Sequence, residues 1–120
     1  MEEKARDYRS LQAQAVELKR QLEVIQSLLA ECLSAERSLD SLDGDAFFQL
    51  GSGVTALAKP SGGFFVEVGS GVVVEAKRED AKVMLAKKRQ KLERAFDATE
   101  AAFVEAARQL SQLEEELSKG

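Results

Sequence analysis

The sequence predicts an α+β fold, a long antiparallel two-helix coiled coil with two β-hairpins between the helices. Three observations carry this. Apolar residues step by threes and fours through both outer stretches of the chain, which is the period of a coiled-coil seam. The middle repeats itself: Gly51-Ser52-Gly53-Val54 returns as Gly69-Ser70-Gly71-Val72. The two heptad stretches are of similar length and joined by a short segment. The chain therefore goes out, turns and comes back, with both termini at the end far from the hairpins.

The first helix is expected within residues 1–39. Tyr8, Leu11, Ala15, Leu18, Leu22, Ile25, Leu29 and Cys32 form its seam. Arg9, Gln12, Gln14, Glu17, Lys19, Arg20 and Gln26 lie between them as a solvated face. Leu28 and Leu33 leave the strict seam, and Leu39 and Leu42 follow, so the helix end should pack on more than one surface. No glycine or proline interrupts this stretch, which at ~1.5 Å per residue would be roughly 50 Å long. Asp40-Ser41-Leu42-Asp43-Gly44-Asp45 is turn-forming and should end it.

Residues 46–77 should hold four strands in two hairpins. The echo between them runs past the glycines: Leu50 matches Val68, Ala58 matches Ala76, and Lys59 matches Lys77. Glycine reaches positive φ without a Cβ penalty, which suits a tight hairpin turn. The link is Lys59-Pro60-Ser61-Gly62-Gly63, and its proline has no amide to give a central strand. Phe47-Phe48, Phe64-Phe65 and Val72-Val73-Val74 put apolar residues on both faces. Isolated hairpins are marginal in water, so such strands call for cover from helices and from other sheets.

The second helix is expected over residues 79–118. Glu79 and Asp80 complement the dipole of its first turn. Leu85, Arg89, Leu92, Phe96, Thr99, Phe103, Ala106, Leu110, Leu113 and Leu117 form its seam, with Arg89 and Thr99 as polar breaks. Its first part is basic, from Lys82 to Arg94, and its second acidic, ending in Glu114-Glu115-Glu116. That is either a solvated coil flank or an acidic tip that meets a basic partner.

Composition removes several function classes. The chain has 120 residues, which fits one domain over residues 1–120. Its net charge of −4 and pI near 5.0 argue against a general nucleic-acid binder. The sequence has no histidine and one cysteine, so the common nucleophile–base pairs are missing. Cys32 falls on the apolar seam and reads as a buried structural thiol in a reducing cytoplasm. The charged N-terminus is no signal peptide, and no apolar run reaches the ~18 residues of a membrane span. Gly51-Ser52-Gly53-Val54-Thr55-Ala56 fits a dinucleotide-type glycine string, but no helix follows it, and its repeat at Gly69 favours a turn. Asp43 and Asp45 read as turn residues. No catalytic, cofactor or metal site is expected.

Helix, two glycine-turned hairpins, helix: the chain resembles an alpha-class subunit of the archaeal-type prefoldin family. The residues carrying the likeness are Leu50-Gly51-Ser52-Gly53-Val54, Val68-Gly69-Ser70-Gly71-Val72-Val73-Val74-Glu75, Glu79-Asp80-Ala81 and Lys87-Lys88-Arg89. Beta-class members have a single hairpin, so two imply the alpha class. Departures are Arg78, where members often have a capping Ser or Thr, and the small Ala56 and Ala58 in strand positions.

The resemblance implies a hexamer of two alpha-class and four beta-class subunits, with the hairpins joined into a double β-barrel body. It implies coil tips that hold unfolded proteins and deliver them to a group II chaperonin, without ATP. The expected client contacts at the tips are Tyr8, Leu11, Leu110, Leu113 and Leu117. The expected oligomer interface is Phe47, Phe48, Leu50, Val54, Phe64, Phe65, Val66, Val68, Val72, Val73 and Val74. Two other classes stay open: a coiled-coil spacer or filament subunit without clients, and a small-ligand or enzymatic role for the glycine turns.

Overall fold

Uninterrupted heptads become two long helices. In the computed structural model, which describes residues 2–60 and 63–119, helix α1 runs Glu2–Ser41 and helix α2 runs Arg78–Lys119. Ser61 and Gly62 of the expected link, and the terminal residues Met1 and Gly120, lie outside the described residues. Between the helices come β1 (Ala46–Gly51), β2 (Val54–Ala58), β3 (Phe64–Gly69) and β4 (Val72–Ala76).

Both helices extend slightly past the expected bounds. Helix α1 continues to Ser41 because Leu39 is still a buried seam residue. The turn that follows is closed by the Asp43 amide on the Ser41 carbonyl, at 3.0 Å. Gly44 then takes a φ of 80°, which a side chain would resist. Helix α2 opens with the Ala81 amide on the Lys77 carbonyl at 2.8 Å, so Lys77 occupies the capping position.

Each strand pair is an antiparallel two-stranded sheet of its own, and the two sheets share no strand pairing. The turns explain the doubled sequence. Ser52 and Gly53 have φ of 49° and 77°, and Ser70 and Gly71 have 50° and 76°. Positive φ at both central residues is the turn that matches strand twist. Just before each turn the register slips, between Gln49 and Gly51 and between Glu67 and Gly69. Leu50 and Val68 are therefore equivalent bulged residues, and the sequence echo extends to the bulge.

The chain divides into two compact units. The first joins the stretch up to Leu29 with the stretch from Lys91. Here Lys4 Nζ meets Glu116 Oε2 at 3.4 Å, and Tyr8 Oη donates to Glu114 Oε1 at 2.7 Å. Rising numbers on one helix face falling numbers on the other, so the pair is antiparallel. Ala15 and Ala106 are its buried residues, flanked by half-buried Leu18, Leu22, Phe96 and Phe103.

The second unit holds Ala30–Gln90, with the hairpins and the adjoining helix ends. Cys32, Leu39 and Ala81 are buried. Arg89 Nε donates to Glu36 Oε2 at 2.9 Å, with the two side chains 28% and 21% exposed. Both stand on the seam, so the polar break at Arg89 has its complement on the facing helix. A charged pair on such a seam fixes register more than it adds stability. Among the described residues no large side chain is completely buried. The chain therefore builds a seam and two sheets, not a closed core.

Candidate functional site

Alternation along the strands decides which hairpin faces are free. Pairing sets Phe47 opposite Leu57 and Gln49 opposite Thr55 on one face of the first hairpin. Phe65 opposite Glu75 and Glu67 opposite Val73 share one face of the second. These are the open faces: Phe47 is 77% exposed and Phe65 is 73% exposed, with Leu57 and Val73 also exposed. The opposite faces are partly covered by the chain itself, leaving Ala46, Ala56, Phe64, Val66, Val74 and Ala76 half-buried. Of the expected interface residues, Phe47, Phe48, Leu50, Val54, Phe65, Val68, Val72 and Val73 are exposed. Phe64, Val66 and Val74 point to the half-buried faces. An apolar display of this extent on short unpaired strands marks an interaction surface.

Arg78 organises the junction beneath the hairpins. Its guanidinium donates to the Leu42 carbonyl, and Nη1 donates to Asp43 Oδ1 at 3.2 Å. The guanidinium carbon also lies 6.0 Å from the Phe64 ring centroid. Helix α1 has no basic residue in its last turn. Arg78, and Lys82 through its ion pair with Asp40, bring positive charge to that helix end from α2. This settles the departure seen in sequence: Arg78 closes the end of the other helix, and only the folded register shows it.

The expected tip residues stand together on the seam of the first unit. Tyr8, Leu11, Leu110, Leu113 and Leu117 are all half-buried. Leu11 and Leu113 line a shallow groove of about 390 Å³ whose other walls are polar: Asp7, Ser10, Gln109, Gln112 and Glu116. The hydrogen bond to Glu114 holds the Tyr8 phenol above its ordinary pKa of 10.0. A raised folded value means this stabilisation is complete below pH 10 and is lost as the pH rises through the raised value. Tyr8 is the only tyrosine in the sequence, so absorbance reads it without interference. We expect a titration midpoint above 10 in the parent and a return toward 10 in Glu114→Ala. A parent midpoint at or below 10 would show the closed coil end to be wrong.

Among the described residues, no group of histidine, cysteine, aspartate and glutamate could hold a metal ion. Among the same residues no helix is long and apolar enough to cross a membrane. Cys32 is free and buried.

Residues 6–119 match the family of prefoldin subunits. The chain belongs to the prefoldin family. Among solved structures it is similar to filamentous PFD from Methanocaldococcus jannaschii, with a TM-score of 0.74 and 21% identity. That match covers 97% of this chain and 99% of the other, so the prefoldin fold extends over both helices and both hairpins. No curated protein sequence matches this chain.

Proposed function

We propose that this chain is an alpha-class prefoldin subunit, a non-enzymatic chaperone component that holds unfolded proteins without ATP. The observation that carries the reading is the exposure of Phe47, Leu57, Phe65 and Val73 on the open hairpin faces in a chain of this family. Two hairpins between the coils favour the alpha class. The whole of residues 1–120 works as one subunit. Its hairpins join those of beta-class partners in a hexamer of two alpha and four beta subunits with a β-barrel body. The coil ends around Tyr8, Leu11, Leu110, Leu113 and Leu117 hold clients and deliver them to a group II chaperonin in the cytoplasm.

A second reading, a filament-forming subunit, is favoured by the likeness to a filamentous PFD. Native mass, measured with and without a beta-class partner, separates the two. A hexameric mass only with the partner supports the first, and an open series of masses for the chain alone supports the second. Holding is tested by the aggregation of a denatured enzyme diluted into the assembly. Removing residues 111–120 should leave the body assembled and lower protection in part, because the partners' tips remain and multivalent binding masks one weak contact. Equal protection by both forms at limiting concentration would remove the tip leucines from the mechanism.

A further inference from the structure

The second hairpin repeats the first and departs from it in charge. At the offset that takes Gly51 to Gly69, Phe47 returns as Phe65 and Phe48 as Val66, while Gln49 and Leu57 return as Glu67 and Glu75. These glutamates are the only charged residues in the four strands, which hold no lysine or arginine. Strand alternation puts both on the open face of β3–β4, beside Phe65 and Val73. Glu67 pairs with Val73 and Glu75 with Phe65, so the acids are diagonal neighbours, about 7–8 Å apart in regular pairing. Both are exposed, and among the described residues neither has a hydrogen bond or an ion pair. The nearest basic residue along the chain, Lys77, lines the groove at the foot of the hairpins with Lys59, Phe64 and Arg78. Phe64 stands on the half-buried side of the sheet, away from the glutamates.

A face that is both apolar and acidic discriminates between occupants. A second copy of the same face, docked about a dyad, would present the same patch from both sides. Four carboxylates would then share one interface, with no cation on the strands of either copy. Like-charge contact of this kind suppresses association. The open face of the first hairpin of another copy offers Gln49 and Thr55 but no counter-charge. A carboxylate that loses its water needs a cation as well as hydrogen bonds.

We propose that Glu67 and Glu75 make the open face of β3–β4 selective for a sheet face of a different polypeptide that presents lysine or arginine among apolar side chains, and make it reject a second copy of this chain. This selection rests on assembly through the hairpins, as proposed above, and names the chemistry of the partner. Phe65 and Val73, 73% and 55% exposed, supply the apolar contact. Arginine suits the partner best, because its planar fork holds a carboxylate through paired hydrogen bonds. The glutamates decide which sheet joins, and apolar burial holds the joined pair. The first hairpin, uncharged at the equivalent Gln49 and Leu57, exerts no such selection.

The test makes the basic partner from the chain itself. Glu67→Lys combined with Glu75→Lys reverses the charge of the face and keeps its apolar residues. Glu67→Gln combined with Glu75→Gln removes the charge. Both positions are exposed, so helicity should match the parent in both variants. Native mass is followed over a concentration series for the parent, for each variant, and for the parent mixed with a mass-tagged charge-reversed variant. We expect mixed complexes at concentrations about tenfold below those at which the parent or the charge-reversed variant associates alone, and we expect added salt to weaken them. The neutral variant should associate with itself about tenfold more readily than the parent. A mixture that associates no better than its components, or a neutral variant that associates like the parent, would overturn the proposal. A photo-crosslinker at position 73 of the parent should label the charge-reversed variant in the mixture, and label on another parent chain would overturn it too. Charge reversal that leaves assembly with a beta-class partner unchanged would sink the selection and leave the hexamer standing. A parent that joins no beta-class partner yet pairs with the charge-reversed variant would sink the hexamer and support the selection.

Discussion

Phe65→Asp combined with Val73→Asp leaves the chain unassembled while its helicity persists. Both side chains lie on the open face of the second hairpin, where Glu67 and Glu75 already stand. Burial of a phenylalanine or valine contributes about 1.5–3 kcal/mol. The substitutions remove that gain and place two carboxylates where assembly would strip their water, at a cost of several kcal/mol each or a forced protonation. Both terms oppose assembly, and neither touches the α1–α2 seam. Light scattering should report the mass of a single chain, with an unchanged helical circular dichroism signal. A variant that assembles like the parent would show that this face is not the interface.

Ala81→Leu should cost about 1–3 kcal/mol of stability, the range found when extra carbons are forced into a packed site. Ala81 is 1% exposed, the most buried of the described residues, and its amide makes the first turn of α2. Ala13→Leu is the control, because Ala13 is exposed on α1 and leucine suits a helix nearly as well as alanine. Denaturant unfolding at one fixed protein concentration separates the two, since assembly makes stability concentration-dependent. Equal midpoints for both variants would mean that α2 does not begin in a packed environment.

These expectations draw on different depths of the sequence. The seams were legible from Tyr8 to Cys32 and from Leu85 to Leu117, because a repeated step of three and four has few other solutions. The end of α1 was not, and the reason is Glu36. A charge at a seam position hides the pattern that leads to Leu39, and its meaning emerges only opposite Arg89. The hairpin turns were legible from Gly51-Ser52-Gly53 and Gly69-Ser70-Gly71. The covered faces were not, because adjacent Phe47 and Phe48 are equally apolar while strand alternation sends them to opposite sides. Arg78 was visible only as an odd residue at a helix start. Its partner is the carbonyl of Leu42, contributed by a distant part of the chain. The expected tip leucines were found by the same period that closes the seam, so sequence alone could not tell a closing residue from an open one.

Amide hydrogen exchange tests the central claim most directly, on the dilute chain, on the assembly, and on the assembly with an unfolded client. The account predicts that assembly slows exchange in the hairpins, Ala46–Gly51 through Val72–Ala76. It predicts that client then slows exchange only in the first unit, in the stretches up to Leu29 and from Lys91. Hairpins that exchange equally fast in the dilute and assembled states, with protection by assembly confined to the helices, would contradict it.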